Sequence, residues 1–234
     1  MSLFGSLRDV IGSVAERAVE LGLPVTCAGC YRPGTTLCRD CGSALKRRLA
    51  AGSGVSCLLL SAPPGQLHRL ESCGPFEGMT RRAVERLSVA GERRLSEPLG
   101  RAVANCWLNT GTGGDVLVPV PASADRVRHV GYDQAALLAR VAGRRLGMRV
   151  VEALVRLPSY TPSGADKRFE VIASARIARR SVVLVDDVVA SGATLASCAA
   201  ALLAAGATQV SAVTVARDHS MASQSLAKPL LATG

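Results

Sequence analysis

Residues 181–207 read SVVLVDDVVASGATLASCAAALLAAGA. The run opens as a valine-rich strand over 181–188 and turns through small residues at 190–194. It continues as an alanine-rich helix over 194–205, closed by Gly206. A strand with no polar alternation is covered on both faces, the habit of parallel sheets in α/β proteins. In such sheets ligands sit beyond the carboxyl ends of the strands. Asp186 and Asp187 stand there, and two carboxylates at the end of a buried strand are costly unless something binds them. The loop Ala190, Ser191, Gly192, Ala193, Thr194 has no bulky side chain, so its amides can close around an anion. The following helix N-terminus adds partial positive charge. Ser191 and Thr194 add hydroxyl donors. One segment therefore offers acceptors for a diol and donors for a phosphate, the pair of groups a ribose 5-phosphate presents. A βα turn with two capping acids is the bland alternative. A Walker A loop is excluded, because no GK[ST] is present.

Outward from this segment the carboxyl-terminal half alternates strands and helices. Strands are expected over 115–121, 149–157 and 209–216, and a helix over 134–146 with Asp133 as N-cap and Gly147 just past its end. The fold class is α/β: a parallel sheet with helices on both faces, plus an N-terminal helix and a small cysteine module. Five parts are expected: an amphipathic helix over 1–24, a cysteine module over 25–45, a bridging region over 46–114, a core over 115–219 and a tail over 220–234. Leu3, Leu7, Val10, Ile11, Val14, Ala18 and Leu21 recur at helical spacing in the first part, which suits packing on the core or lying on a membrane surface. The bridge is expected to hold a strand over 66–76 and helix over 79–108, broken near Gly91 and Pro98.

Four of the eight cysteines, Cys27, Cys30, Cys38 and Cys41, form the pattern C-x2-C-x7-C-x2-C. Two CxxC pairs can wrap one zinc ion tetrahedrally. A loop too short for its own core gains most from such a staple. Disulfides or a metal-free remnant are the alternatives. Gly29, Gly34 and Gly42 are placed where knuckle backbones often need positive φ. Cys57, Cys73, Cys106 and Cys198 are scattered singly and suit small buried apolar sites.

Of 234 residues 48% are apolar and 20% charged, which excludes collagen, coiled-coil and disordered classes. No apolar run is long enough to span a membrane. The first residues interleave charges with apolar positions, unlike a secretory leader, so a reducing cytoplasm is expected. An aromatic share of only 3% argues against a surface that binds single strands by ring stacking. The net charge is +10, and 25 of the 28 basic residues are Arg. A GC-rich coding sequence explains that as well as a polyanionic partner does. The arginines at 81–94 and 126–149 suit either a solvated face or a nucleic-acid track. Arg126 and Arg128, close after the 115–121 strand, are the candidates to face pyrophosphate or nucleic acid, since Arg pairs bidentately with phosphate.

The segment 181–207 resembles the motif of type I phosphoribosyltransferases that binds 5-phosphoribosyl 1-pyrophosphate (PRPP). That motif is a hydrophobic run, two acids, two residues, then A/T-[ST]-G-x-T. By that resemblance Asp186 and Asp187 hold the ribose hydroxyls, and Ala190, Ser191, Gly192, Ala193 and Thr194 grip the 5′-phosphate. The wider order is similar to the ComF/GntX family. It runs from cysteine pairs through the 76–78 Phe-Glu-Gly and 118–121 Val-Pro-Val-Pro to 126–134 Arg-x-Arg-x-x-Gly-Tyr-Asp-Gln and the acidic loop. This implies a type I phosphoribosyltransferase-like core, structural zinc and magnesium with PRPP. It also implies a link to single-stranded DNA uptake, with a competence helicase-type partner. The sequence departs from the family at 88–91, where Ser-Val-Ala-Gly replaces a Lys-Tyr-x-Gly step. It departs again at Val130, and at 160–171, which lacks the family's Gln and Asn. Catalysis is therefore left open beside two rivals: a salvage enzyme making a nucleotide from PRPP and a base, and a non-catalytic nucleic-acid or protein adaptor.

Overall fold

Valine and alanine divide the carboxyl-terminal half of the chain: β-branched runs make strands, and alanine-rich runs make the helices between them. A computed structural model describes residues 25–51, 67–110, 112–157 and 169–218. In chain order the elements are α1 (Arg39–Ala51), β1 (Arg69–Ser72), α2 (Gly78–Ser88), a 3-10 turn (Arg93–Leu95), α3 (Ser96–Thr110) and β2 (Val116–Pro119). Next come α4 (Ala124–Val130), α5 (Gln134–Leu146), β3 (Arg149–Val150), β4 (Leu154–Arg156) and β5 (Phe169–Val171). The chain then forms α6 (Ser174–Ile177), β6 (Ser181–Val189), α7 (Ala193–Ala204) and β7 (Gln209–Arg217).

The main sheet has five strands in the order β1-β7-β6-β2-β3, and every pairing is parallel. Strands β6 and β7 pair from Ser181 opposite Gln209 to Val189 opposite Arg217, with the register skipping Asp187. One face of the sheet is covered by α1, α2, α3 and α5, with Leu45, Leu87, Leu99, Trp107 and Leu138 packed on Val183, Val185 and Val213. The other face carries α7, α6 and the antiparallel β4–β5 pair, with Leu195, Leu202, Ile177 and Phe169 over Val182 and Leu184. Both faces of the central strands are dry, which is why no alternation shows in their sequence. Helices α3 and α5 meet so closely that a Cβ on Gly100 would come within 2.6 Å of Val141 Cβ.

Several expectations needed correction. The stretch 149–157 is not one strand. Ala153 N donates to Val151 O at 2.9 Å, a tight turn that leaves β3 in the main sheet and sends β4 to pair with β5. Pro98 does not break a helix. It lies in the first turn of α3, where a missing N–H costs nothing. Helix α4 was not expected, although Ser123 caps it by accepting from Arg126 N at 3.3 Å and Gly131 closes it at φ 84°. The expected 1–24 helix, the 220–234 tail, Cys57, Gln66 and residues 160–168 fall outside the described residues. Among the described residues no helix is long and apolar enough to cross a membrane.

Candidate functional site

Strand β2 connects onward to β3, and β6 onward to β7 on the opposite side, so the chain order reverses between β2 and β6. A crevice opens at the carboxyl ends of two such strands. Strand β6 outruns its neighbour. Pro119 opposite Val185 is the last pair, and Val120 N makes one more bond, to Val185 O at 3.0 Å. Asp186 and Asp187 follow immediately, so they stand where β6 loses its β2 partner.

Asp187 is 8% exposed and Asp186 half-buried. Each carboxylate takes a local main-chain bond: Asp187 N donates to Asp186 Oδ1 at 2.9 Å, and Val188 N donates to Asp187 Oδ1 at 2.8 Å. Burial pushes the Asp186 carboxyl well above its ordinary range, and the neighbouring charge of Asp187 pushes it further. Burial also raises Asp187, opposed by the Val188 N–H and the positive charge of Arg126. Two clustered, desolvated carboxylates are a standing cost in the free protein. They suit hydroxyl donors or a cation.

The loop then delivers a helix end. Gly192 takes φ 77°, ψ −4°, a left-handed conformation open to glycine with little penalty. It is the N-cap of α7 and has no side chain of its own to cap that end. The first intrahelical bond runs from Ala196 N to Gly192 O at 2.9 Å, which leaves the amides before it directed outward from the helix end. Ser191 and Ala193 are exposed, Ala190 and Thr194 half-buried. Ser191 Oγ accepts from Ala193 N at a long 3.4 Å. The acidic pair and the uncapped amides are thus joined by one short turn.

The opposite wall is the segment between β2 and α5. The structure separates the two expected arginines. Arg126 is exposed yet close enough to Asp187 to depress that carboxyl. Arg128 turns to Asp125 on its own helix. Two further residues were not foreseen as part of this wall. Asp133 does more than cap: Oδ1 accepts from Ala136 N at 2.9 Å and Oδ2 from Ala122 N at 2.8 Å, which ties the segment into a closed turn. Arg156 Nε donates to Pro121 O at 3.2 Å, with its guanidinium 4.8 Å over the Phe169 ring. Asp133 was visible only as a helix cap. Arg156 had no local signal, because its partners lie 13 and 35 positions away.

The four expected cysteines come together. Their sulfurs all lie within 4.8 Å of one another, and Cys30 Sγ and Cys38 Sγ are 3.8 Å apart. Tetrahedral zinc with Zn–S near 2.3 Å demands sulfur separations of about 3.8 Å. Cys27 Sγ accepts from Gly29 N at 3.4 Å and Cys38 N at 3.3 Å. Burial raises its pKa, but the bonds from Cys38, Cys30 and Gly29 outweigh that and bring it to about 6. Hydrogen bonding with Cys38, then burial, pushes Cys41 up to about 12. The donor set and spacing fit a thiophilic ion such as zinc. Gly34 has φ 98°, as expected, whereas the other positive φ in the knuckle falls on Tyr31, at 61°. Gly29 is needed for space instead: a Cβ there would lie 2.5 Å from Cys41 Sγ. Helix α2 clasps the knuckle. Arg82 donates to Ala28 O and Gly29 O, both at 3.1 Å, and Arg86 Nη2 to Thr26 O at 2.6 Å. These two arginines therefore serve the knuckle rather than an open basic track.

Residues 134–230 match the family model of the phosphoribosyl transferase domain. The fold is of the phosphoribosyltransferase type. The matched span holds β6, the acidic pair, the small-residue loop and α7. Among solved structures, the chain is similar to glutamine phosphoribosylpyrophosphate amidotransferase from B. subtilis, complexed with ADP and GMP. Identity is 20%, covering 51% of this chain and 25% of that one, with a TM-score of 0.40. It is also similar to a structure described as the allosteric regulatory enzyme of purine biosynthesis, at 20% identity, 51% and 25% coverage and a TM-score of 0.38. The chain spans about a quarter of the length of those proteins. No curated protein matches.

Proposed function

We propose that the crevice binds PRPP. The observation that carries this is the joining, at the carboxyl end of β6, of two desolvated carboxylates to an uncapped helix N-terminus through Gly192. The carboxylates of Asp186 and Asp187 accept from the ribose 2′ and 3′ hydroxyls. The amides and hydroxyls of Ala190, Ser191, Gly192, Ala193 and Thr194 hold the 5′-phosphate. Arg126 meets the pyrophosphate, and Arg128 is the second candidate once drawn from Asp125. Magnesium, if bound with PRPP beside Asp186 and Asp187, would supply charge neutralisation. Where transfer occurs, the C1–pyrophosphate bond breaks as an acceptor's lone pair forms the new bond at C1. The protein contributes positioning and charge stabilisation.

In this reading Cys27, Cys30, Cys38 and Cys41 hold one structural zinc. The pairing of such a knuckle with a phosphoribosyltransferase-type core favours the ComF type. That type implies a cytoplasmic role in handling single-stranded DNA during natural transformation, beside a helicase-type partner. A salvage enzyme has no evident use for the knuckle. Incubation with PRPP, magnesium and a panel of bases, followed by assay of released pyrophosphate, separates the readings. Nucleotide formation supports a salvage enzyme. PRPP binding without turnover supports the ComF type. DNA affinity that falls steeply with salt, without PRPP binding, supports the adaptor.

A further inference from the structure

Tyr132 lies outside the segment that carries the acidic pair, and no ligand role is assigned to it above. It is buried, 7% exposed. Its hydroxyl donates to the carbonyl of Leu87 in the last turn of α2. The Arg93 guanidinium sits 5.0 Å over its ring. Helix α2 is the element that clasps the cysteine knuckle through Arg82 and Arg86. Tyr132 stands between Gly131, which ends α4, and Asp133, which ties Ala122 to α5. The turn that carries Arg126 is therefore closed on itself by Asp133 and moored to α2 by Tyr132. An exposed seven-residue helix has little intrinsic stability, so the location of Arg126 depends on such moorings.

We propose that Tyr132 is a positioning residue for the anion-binding wall of the crevice: it holds the α4 turn against α2 and so sets where Arg126 meets the pyrophosphate. This rests on the PRPP reading. It predicts a selective effect. Contacts to the diol and the 5′-phosphate come from β6 and α7 and do not pass through Tyr132, whereas contacts to the pyrophosphate do.

The test is calorimetric titration of the full-length, zinc-loaded protein with PRPP and, separately, with ribose 5-phosphate, both with magnesium. Tyr132→Phe removes one hydroxyl and keeps the ring. Its expected result is PRPP affinity lowered roughly tenfold, the order of one lost hydrogen bond, with ribose 5-phosphate affinity unchanged. In an Arg126→Ala background the same substitution adds little. Arg93→Ala, at an exposed position, produces the same selective loss in smaller measure and keeps the test open if Tyr132→Phe folds poorly. Equal losses for both ligands overturn the proposal, as does unchanged PRPP affinity or full additivity with Arg126→Ala. A wild-type protein that binds neither sugar phosphate overturns the PRPP reading and this proposal with it. Wild-type binding of both, with Tyr132→Phe indifferent, overturns this proposal alone.

Discussion

The backbone N–H of Asp187 donates to Oδ1 of Asp186 at 2.9 Å, so the first carboxylate of the pair is held by the main chain of the second. That bond orients Asp186 and only partly offsets the desolvation of the pair, whose carboxyls both remain raised. Among the described residues no cation makes an ion pair with either acid at the sheet end.

Asp186 binds its proton more tightly folded than unfolded, and an unfolded Asp titrates near pH 4. Folding of the free protein is therefore disfavoured increasingly as pH rises from about 4 through the raised folded value. Asp186→Asn removes that penalty. The variant should melt higher than wild type near neutral pH, with a flatter dependence of Tm on pH between about 5 and 8. A lower Tm at every pH in that range would contradict the assignment of a raised carboxyl.

The cysteine cluster predicts one zinc per chain in protein purified under reducing, chelator-free conditions, read by elemental analysis. Cys27→Ser should lose the metal and lower Tm, since metal binding and folding of a knuckle are one equilibrium. Absence of zinc from the wild type would overturn the metal assignment.

Gly29 supplies a steric test of the same knuckle. Gly29→Ala would place a methyl 2.5 Å from Cys41 Sγ and 3.0 Å from Met79 Cε. Forcing that fit should cost about 1–3 kcal/mol, read as lower stability in denaturant together with weaker zinc retention against a chelator. Gly34→Ala meets no neighbouring atom and strains only the backbone, so it should retain zinc better.

Asp133 predicts a shared loss. Asp133→Ala removes the cap of α5 and the tie to Ala122. Stability should fall by about 1–2 kcal/mol, with PRPP affinity falling as well because the α4 turn loosens. Asp133→Asn, which keeps one capping oxygen, should recover most of the stability.

Local signals in the sequence predicted much of this architecture. Asp133 and Gly147 bracket α5 at the ends expected for them, because N-cap and C-cap chemistry is local. The acidic pair, Gly192 and the start of α7 were equally legible, since strand, turn and helix follow within one continuous stretch. Helix α4 was missed because seven residues are too few to show a period, although Ser123 and Gly131 flank it as caps. The split of 149–157 came from pairing of β4 with β5, whose partner residues begin at Phe169. Arg82 and Arg86 looked like solvated charge because the carbonyls they hold, at Thr26, Ala28 and Gly29, lie more than 50 positions away. Arg126 and Arg128 looked equivalent in the sequence, and only the fold shows Arg128 paired with Asp125 while the charge of Arg126 is felt at Asp187.

The most direct test of the central claim is calorimetric titration of the zinc-loaded protein with PRPP and magnesium, beside the variant carrying Asp186→Asn and Asp187→Asn. The account predicts saturable binding to the wild type and none to the variant, with the variant folded by circular dichroism. Equal affinity of the two proteins, or no binding to the wild type, would contradict it.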